Sequence, residues 1–331
     1  MATGALHARP AYWARSPKRS EPFVHSPAIP CRWRRRLLGV IAVASACASP
    51  VPERAVGDAA ARPPVIDDFG DTLRLARAAA RIVSLNPVTT EALFAIGAGQ
   101  RLVGRTHWDA APAEARRVQD VGDGIQPNVE AVLAVRPDLV VLYAAEVNRA
   151  AAAAFRRAGV PTLTMRTDRV ADFSRALRAL GRVIGDSTGA ARVADSVRRS
   201  IDAVRAMPAH VRPVTVFWHA WEAPVITIGA GSFLSELVEA AGVRNVFGDL
   251  PDPSPQVTLE SVAQRNPDYV LAGPQVARRM RADPRWRTVA AVRDGRILVV
   301  DTTLMGRPGV RMGEAARSLR ALIDSALGAR P

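Results

Sequence analysis

An internal repeat constrains this chain more than any other feature. The segment Asn128-Val129-Glu130-Ala131-Val132-Leu133-Ala134-Val135-Arg136-Pro137-Asp138 has a counterpart in Thr258-Leu259-Glu260-Ser261-Val262-Ala263-Gln264-Arg265-Asn266-Pro267-Asp268. In each copy a helix-capping residue opens the segment, Glu follows two positions later, and Pro-Asp leads into an apolar run. The upstream helices match as well, since Glu91 of Thr90-Glu91 and Glu236 of Ser235-Glu236 each precede a glycine, Gly97 or Gly242, by six residues. Two copies of one plan, 130 residues apart, predict two similar lobes.

From Pro64 onward, short β-rich runs alternate with helical patterns, which implies α/β units and largely parallel sheets. Strands are expected over residues 81–85, 102–105, 138–143, 160–165, 214–218, 225–228, 269–272 and 297–300. Helices are expected over 89–96, 129–135, 149–158, 233–241, 259–265 and 313–327. Between the copies, residues 170–207 are helical in pattern, with Val170, Phe173, Leu177, Leu180 and Ile184 at three- and four-residue spacing. Gly185-Asp186-Ser187-Thr188-Gly189 divides this stretch and caps a second helix of roughly 19 residues, about 28 Å long. Such a helix can join two lobes as a strut that permits little hinge closure. The length of 331 residues allows two domains, each with its own core. The expected fold is α/β, with two Rossmann-like lobes (65–168 and 210–331) joined by a long rigid backbone helix within 169–209.

The front of the chain reads as an export signal. Arg32-Trp33-Arg34-Arg35-Arg36 precedes an apolar run, Leu37 to Val43, and then Ala44-Ser45-Ala46-Cys47. The run is far below the ~20 residues that a permanent membrane anchor requires. Ala-Ser-Ala-Cys resembles a lipobox, in which Cys47 becomes the lipidated first residue, and it also suits a plain Ala-x-Ala cut. Residues 1–47 are therefore expected to be a signal peptide and 48–64, rich in Pro and Ala, a linker.

Charge and residue inventory narrow the function. Half of the net charge of +14 lies in residues 1–46, and the rest is spread without basic blocks or interleaved aromatics, which argues against a nucleic-acid surface. Both cysteines, Cys31 and Cys47, lie in the leader, so the body holds no thiol nucleophile and no cysteine zinc site. Gly229-Ala230-Gly231 completes no dinucleotide fingerprint, and no phosphate-binding lysine follows it. No Gly-x-Ser-x-Gly elbow occurs, and His219-Ala220-Trp221-Glu222 lacks a second histidine at zincin spacing. An exported enzyme is thus the weaker reading, and a binding protein without cofactor or resident metal the stronger.

In open α/β sheets the ligand site lies beyond the carboxyl ends of the strands. The residues expected there are His107 and Trp108, Tyr143, and Trp218, His219 and Trp221, with Asp123, Met305 and Arg307 in loops of similar claim. Flat aromatic walls suit a macrocycle, since stacking large rings buries apolar area at roughly 25 cal/mol per Å². The same aromatics can instead fill the lobe cores. Arg307 can neutralise an acidic ligand group or form a salt bridge. A histidine can ligate a metal centre or merely hydrogen-bond.

Ordered along the chain, Val65-Ile66-Asp67-Asp68-Phe69-Gly70, Arg81-Ile82-Val83-Ser84-Leu85-Asn86-Pro87, Leu102-Val103-Gly104-Arg105-Thr106, Gly231-Ser232-Phe233-Leu234 and Pro255-Gln256-Val257 resemble the helical-backbone substrate-binding proteins of ABC importers. These carry cobalamin, haem and ferric siderophores, and the likeness is greatest to the vitamin-B12-binding branch. The resemblance spans roughly residues 65–328. It implies a ligand held between two lobes, no catalysis, an extracytoplasmic monomer, and delivery to a permease dimer with ATPase subunits. One exposed Glu per lobe docks on the permease in that family, and Glu130 and Glu260 occupy those positions here. Trp108 and Tyr143 fall where the cobalamin-binding relatives have cleft aromatics, whereas Gly124 and Ser254 stand where those have tryptophans. The cargo implied is a corrinoid, with a ferric siderophore or haem as the alternative.

Overall fold

The computed structural model describes residues 63–328; the expected signal peptide, Cys47 and almost all of the expected linker lie outside them. An antiparallel ribbon, β1 (Val65–Ile66) and β2 (Thr72–Leu73), precedes the first lobe. That lobe runs β3 (Ile82–Ser84), α1 (Pro87–Ile96), β4 (Leu102–Gly104), α2 (Val129–Ala134), β5 (Leu139–Tyr143), α3 (Arg149–Arg157) and β6 (Thr162–Met165). Two connecting helices follow, α4 (Val170–Ile184) and α5 (Ser187–Arg205). The second lobe runs β7 (Thr215–Trp218), α6 (Phe233–Ala240), β8 (Arg244–Asn245), α7 (Leu259–Arg265) and β9 (Tyr269–Ala272). It ends with α8 (Pro274–Ala282), α9 (Ala290–Arg293), β10 (Ile297–Val299), α10 (Thr302–Met305) and α11 (Met312–Gly328). Each lobe holds one parallel sheet, ordered β4-β3-β5-β6 and β8-β7-β9-β10. Both orders read second, first, third, fourth, so the two lobes share one topology and one switch point.

The sequence repeat is also a repeat of hydrogen bonds. Asn128 Oδ1 accepts from the Ala131 amide at 3.1 Å, and Thr258 Oγ1 accepts from the Ser261 amide at 3.2 Å. Each helix ends in a non-glycine residue with left-handed backbone, Arg136 (φ 49°) and Asn266 (φ 43°), before a proline that cannot continue the helix. The following aspartate then binds the neighbouring strand. Asp138 accepts from the amides of Ala80 (3.0 Å) and Arg81 (2.9 Å), and Asp268 accepts from the Thr215 amide (2.9 Å) and hydroxyl (3.0 Å). These carboxylates fix where the first strand of each lobe begins beside the third. Replacing Asp138 with Ala leaves two exposed amides to water, and a loss of about 0.5–1.5 kcal/mol is expected in urea unfolding. A loss below a few tenths of a kcal/mol contradicts that role.

Two expectations are corrected. Residues 225–228 form no strand of the sheet: Ile226 makes only single bridges to Trp221 and Gln256, and Arg244–Asn245 takes the edge position beside β7. The physical reason is local pairing, because the chain turns back at Ala223-Pro224 and the Ile226 amide donates to the Trp221 carbonyl at 2.9 Å. Nor does each lobe keep a separate core. The outer sheet faces have their own clusters, around Phe155 and Leu142 in the first lobe and Trp286 and Phe217 in the second. The inner faces instead share one cluster from Val65 to Ile323 that runs through α4 and α5. Helix α5 has the 19 residues expected, but it is no bare strut, for it packs against α1, α4, α6 and α11.

Candidate ligand cleft

The loops beyond the carboxyl ends of the two sheets meet each other. Arg307, after β10, donates to the Trp108 carbonyl at 2.9 Å and reaches the Glu91 carboxylate at 3.3 Å. The Phe233 amide, at the start of α6, donates to the Asp168 carbonyl at 2.7 Å. A solvent-open pocket of about 150 Å³ lies between the lobes, lined among others by Glu91, Ala111, Arg116, Leu304, Arg307 and Arg311.

The structure separates the candidate residues into groups. His107 is exposed and Trp108 half-buried, their rings 4.5 Å apart, and Arg307 is tied to the Trp108 backbone; these three form one patch. Tyr143 ends β5, is partly buried, and donates its hydroxyl to Asp168; burial, reinforced by that carboxylate, pushes its pKa up. Asp123 is half-buried and accepts from the Ile125 amide at 2.9 Å, which shapes the loop below β4. Trp221 is 37% exposed on the hairpin after β7. Met305 is buried in the shared core.

Trp218 and His219 do not stand as cleft walls. Trp218 is 5% exposed and packs in the shared core. The His219 ring is enclosed, 2.9 Å from Glu222 and edge-on to Phe217 and Trp286, and burial lowers its pKa despite Glu222. Trp218 ends β7 and turns into the shared core, and His219 follows it into the packing of Phe217 and Trp286, so position at a strand terminus overstated their exposure. Glu130 and Glu260 are exposed, each at the second position of its helix. Those helices start from the carboxyl edge of their sheets, so the two glutamates hold equivalent places in the two lobes. The backbone amide of Glu260 and the Thr258 hydroxyl hold its carboxylate below the usual range.

Sequence reasoning passed over Glu91, Asp109 and Asp168. Glu91 is 8% exposed and Asp109 1%. The Thr90 and Thr106 hydroxyls bond Asp109 at 2.5 and 2.6 Å. Burial raises both carboxyl pKa values, against the pull of Arg307 on Glu91 and of the threonines on Asp109. The available signal was a lone charge in the apolar helix Pro-Val-Thr-Thr-Glu-Ala-Leu-Phe-Ala-Ile. A carboxyl whose folded pKa is raised contributes stability below its ordinary pKa and loses it as pH rises through the folded value. The melting temperature of Asp109→Asn relative to wild type should therefore climb between pH 4 and pH 8. A flat difference across that range would show that Asp109 does not titrate in the buried state.

Among the described residues no group of three or more His, Cys, Asp or Glu is placed to hold a metal ion. The periplasmic binding protein family model matches residues 82–304, most of the described chain. The chain belongs to the periplasmic binding protein family. It is a substrate-binding protein of the ABC-importer type, not an enzyme. An ABC transporter substrate-binding lipoprotein of Bacillus subtilis is 28% identical over 305 residues, covering 87% of this chain and 94% of its own. The crystal structure of the periplasmic vitamin B12 binding protein of Vibrio cholerae superimposes with a TM-score of 0.64 at 25% identity, over 75% of this chain and 98% of that one. The periplasmic heme-binding protein of Roseiflexus sp. RS-1, at 24% identity, shares the fold with a TM-score of 0.67 over 75% and 99% of the two chains. Like this periplasmic binding protein, such relatives are two-lobed.

Proposed function

We propose that this periplasmic binding protein captures a corrinoid-sized metal chelate outside the cytoplasm and hands it to a permease dimer driven by ATPase subunits. It works as a monomer, tethered to the membrane through lipid on Cys47. The observation that carries the reading is the patch of His107, Trp108 and Arg307 at the edge of an inter-lobe pocket. An aromatic face beside a guanidinium offers a ring wall and a charge for one acidic group, as a decorated macrocycle requires. On this reading Tyr143, Trp221 and Asp123 are further residues that the ligand meets. The B12-binding relative in Vibrio cholerae supports a corrinoid cargo. A second reading, a ferric siderophore or haem, draws on Arg116, Arg307 and Arg311 lining the same pocket, since three guanidiniums suit a ligand with several acidic groups.

Absorbance titration of the purified protein with cyanocobalamin, haemin and a ferric siderophore tests both. Saturable binding of cyanocobalamin at one site per chain is expected, weakened roughly tenfold or more by Trp108→Ala. Saturation by haemin or the siderophore alone would select the second reading. Chemical conversion of the ligand, or no saturation with any of the three, would overturn the proposal.

A further inference from the structure

The repeated Thr90-Glu91 and Ser235-Glu236 pairs are treated alike by the fold, although only Glu91 lines the pocket. Helices α1 and α6 each follow the first strand of their lobe, and both rest on α5. Each glutamate lies six residues before a left-handed glycine that ends its helix, Gly97 (φ 88°) or Gly242 (φ 80°). The hydroxyl before each glutamate is bonded to a polar residue from the second-strand segment. Thr90 donates to Asp109 at 2.5 Å, and Ser235 accepts from the Asn245 amide group at 2.9 Å. Both glutamates then reach out of their own helix to an arginine that follows the fourth strand of the opposite sheet. Glu91 pairs with Arg307 at 3.3 Å, and Glu236 pairs with Arg169 at 3.0 Å.

We infer that Glu91 and Glu236 are positioning residues, a pseudo-two-fold pair of latches that sets the angle between the lobes and hence the width of the cleft. The inference rests on the two-lobed carrier reading only in calling that cleft a ligand site. The latches are unequal. Glu91 and Arg307 side chains are 9% and 20% exposed, and Arg307 is further held by the Trp108 carbonyl. Glu236 and Arg169 are 23% and 54% exposed, with the Phe233 to Asp168 backbone bond beside them. Asp109 and Arg311 also act on Glu91 at the first latch, and Asp172 accepts from the Arg169 amide at the second. Two attachments on separate elements resist rotation better than one, since either alone leaves a pivot.

The test measures lobe separation without ligand, by pulsed dipolar spectroscopy on the full chain. Cys31→Ser and Cys47→Ser remove the native thiols. Spin labels go on Arg157→Cys in α3 and Gln275→Cys in α8, both exposed. Glu236→Gln should broaden the distance distribution. Adding Glu91→Gln should also shift its mean by about 2 Å or more, the scale of helix shifts at packed interfaces. The exchange Arg169→Glu with Glu236→Arg should restore the native distribution, which a merely structural loss would not allow. If the Glu91→Gln variant fails to fold by circular dichroism, the exposed pair decides alone through its broadening and its rescue. Unchanged distributions in the folded variants, or a folded exchange variant that stays broad, would overturn the latches. Because no ligand is present, this outcome is independent of the cargo titration.

Discussion

The double reversal Glu130→Arg with Glu260→Arg should abolish uptake by the complete transporter while leaving ligand affinity within twofold of wild type. Both side chains are exposed at the start of short helices at the carboxyl edges of the sheets, and neither lines the pocket. Glu260 titrates below the usual carboxylate range, so its charge is present throughout neutral pH. If permease arginines receive both glutamates, reversal replaces two attractions with two like-charge contacts. Association should weaken by more than about 100-fold and become steeper in salt. The measurements are ligand-coupled ATPase activity and uptake in reconstituted vesicles, beside ligand titration of the free protein. Normal uptake with both charges reversed would remove these glutamates from docking.

Truncating Trp286 to Ala should cost about 3–5 kcal/mol in denaturant unfolding, the usual penalty for emptying a large aromatic site. Trp286 is 1% exposed and packs against Phe217 and His219, and its indole N–H donates to Glu222 at 3.3 Å. Removing it opens a cavity and takes a donor from the carboxylate that faces His219 at 2.9 Å. Trp286→Phe keeps part of the ring packing but loses the donor and some volume, so about 1–3 kcal/mol is expected. Burial holds the His219 pKa below its ordinary value. A histidine with a depressed folded pKa contributes stability at higher pH and loses it as pH falls through that value. Water admitted by Trp286→Ala should therefore raise the His219 pKa in a nuclear magnetic resonance titration. A cost below about 1 kcal/mol would show that the second lobe repacks around the gap.

Much of this architecture was legible because it depends on local rules. Capping by Asn128 and Thr258, the six-residue run to Gly97 and Gly242, and the Pro-Asp entry to β5 and β9 each follow from short-range chemistry. The 19-residue connecting helix was readable from its periodicity and its Asp186 cap. The cleft was less legible. Trp218 and His219 carry the same strand-end signature as Tyr143, but Trp218 is buried in the core shared by the lobes and His219 against Phe217 and Trp286. Residues 225–228 carry a strand composition, but pairing depends on which edge competes for β7, and Arg244–Asn245 won.

Two copies of an α/β plan and their order along the chain can be read without coordinates, because periodicity and capping are properties of neighbours within a dozen residues. That the lobes share a core through α5, and that Glu91 and Glu236 face Arg307 and Arg169, emerges only from the folded chain. Those pairings join residues 216 and 67 positions apart, a separation that no local pattern encodes. They form because two similar sheets, set on a common helix, bring opposite carboxyl-end loops within reach.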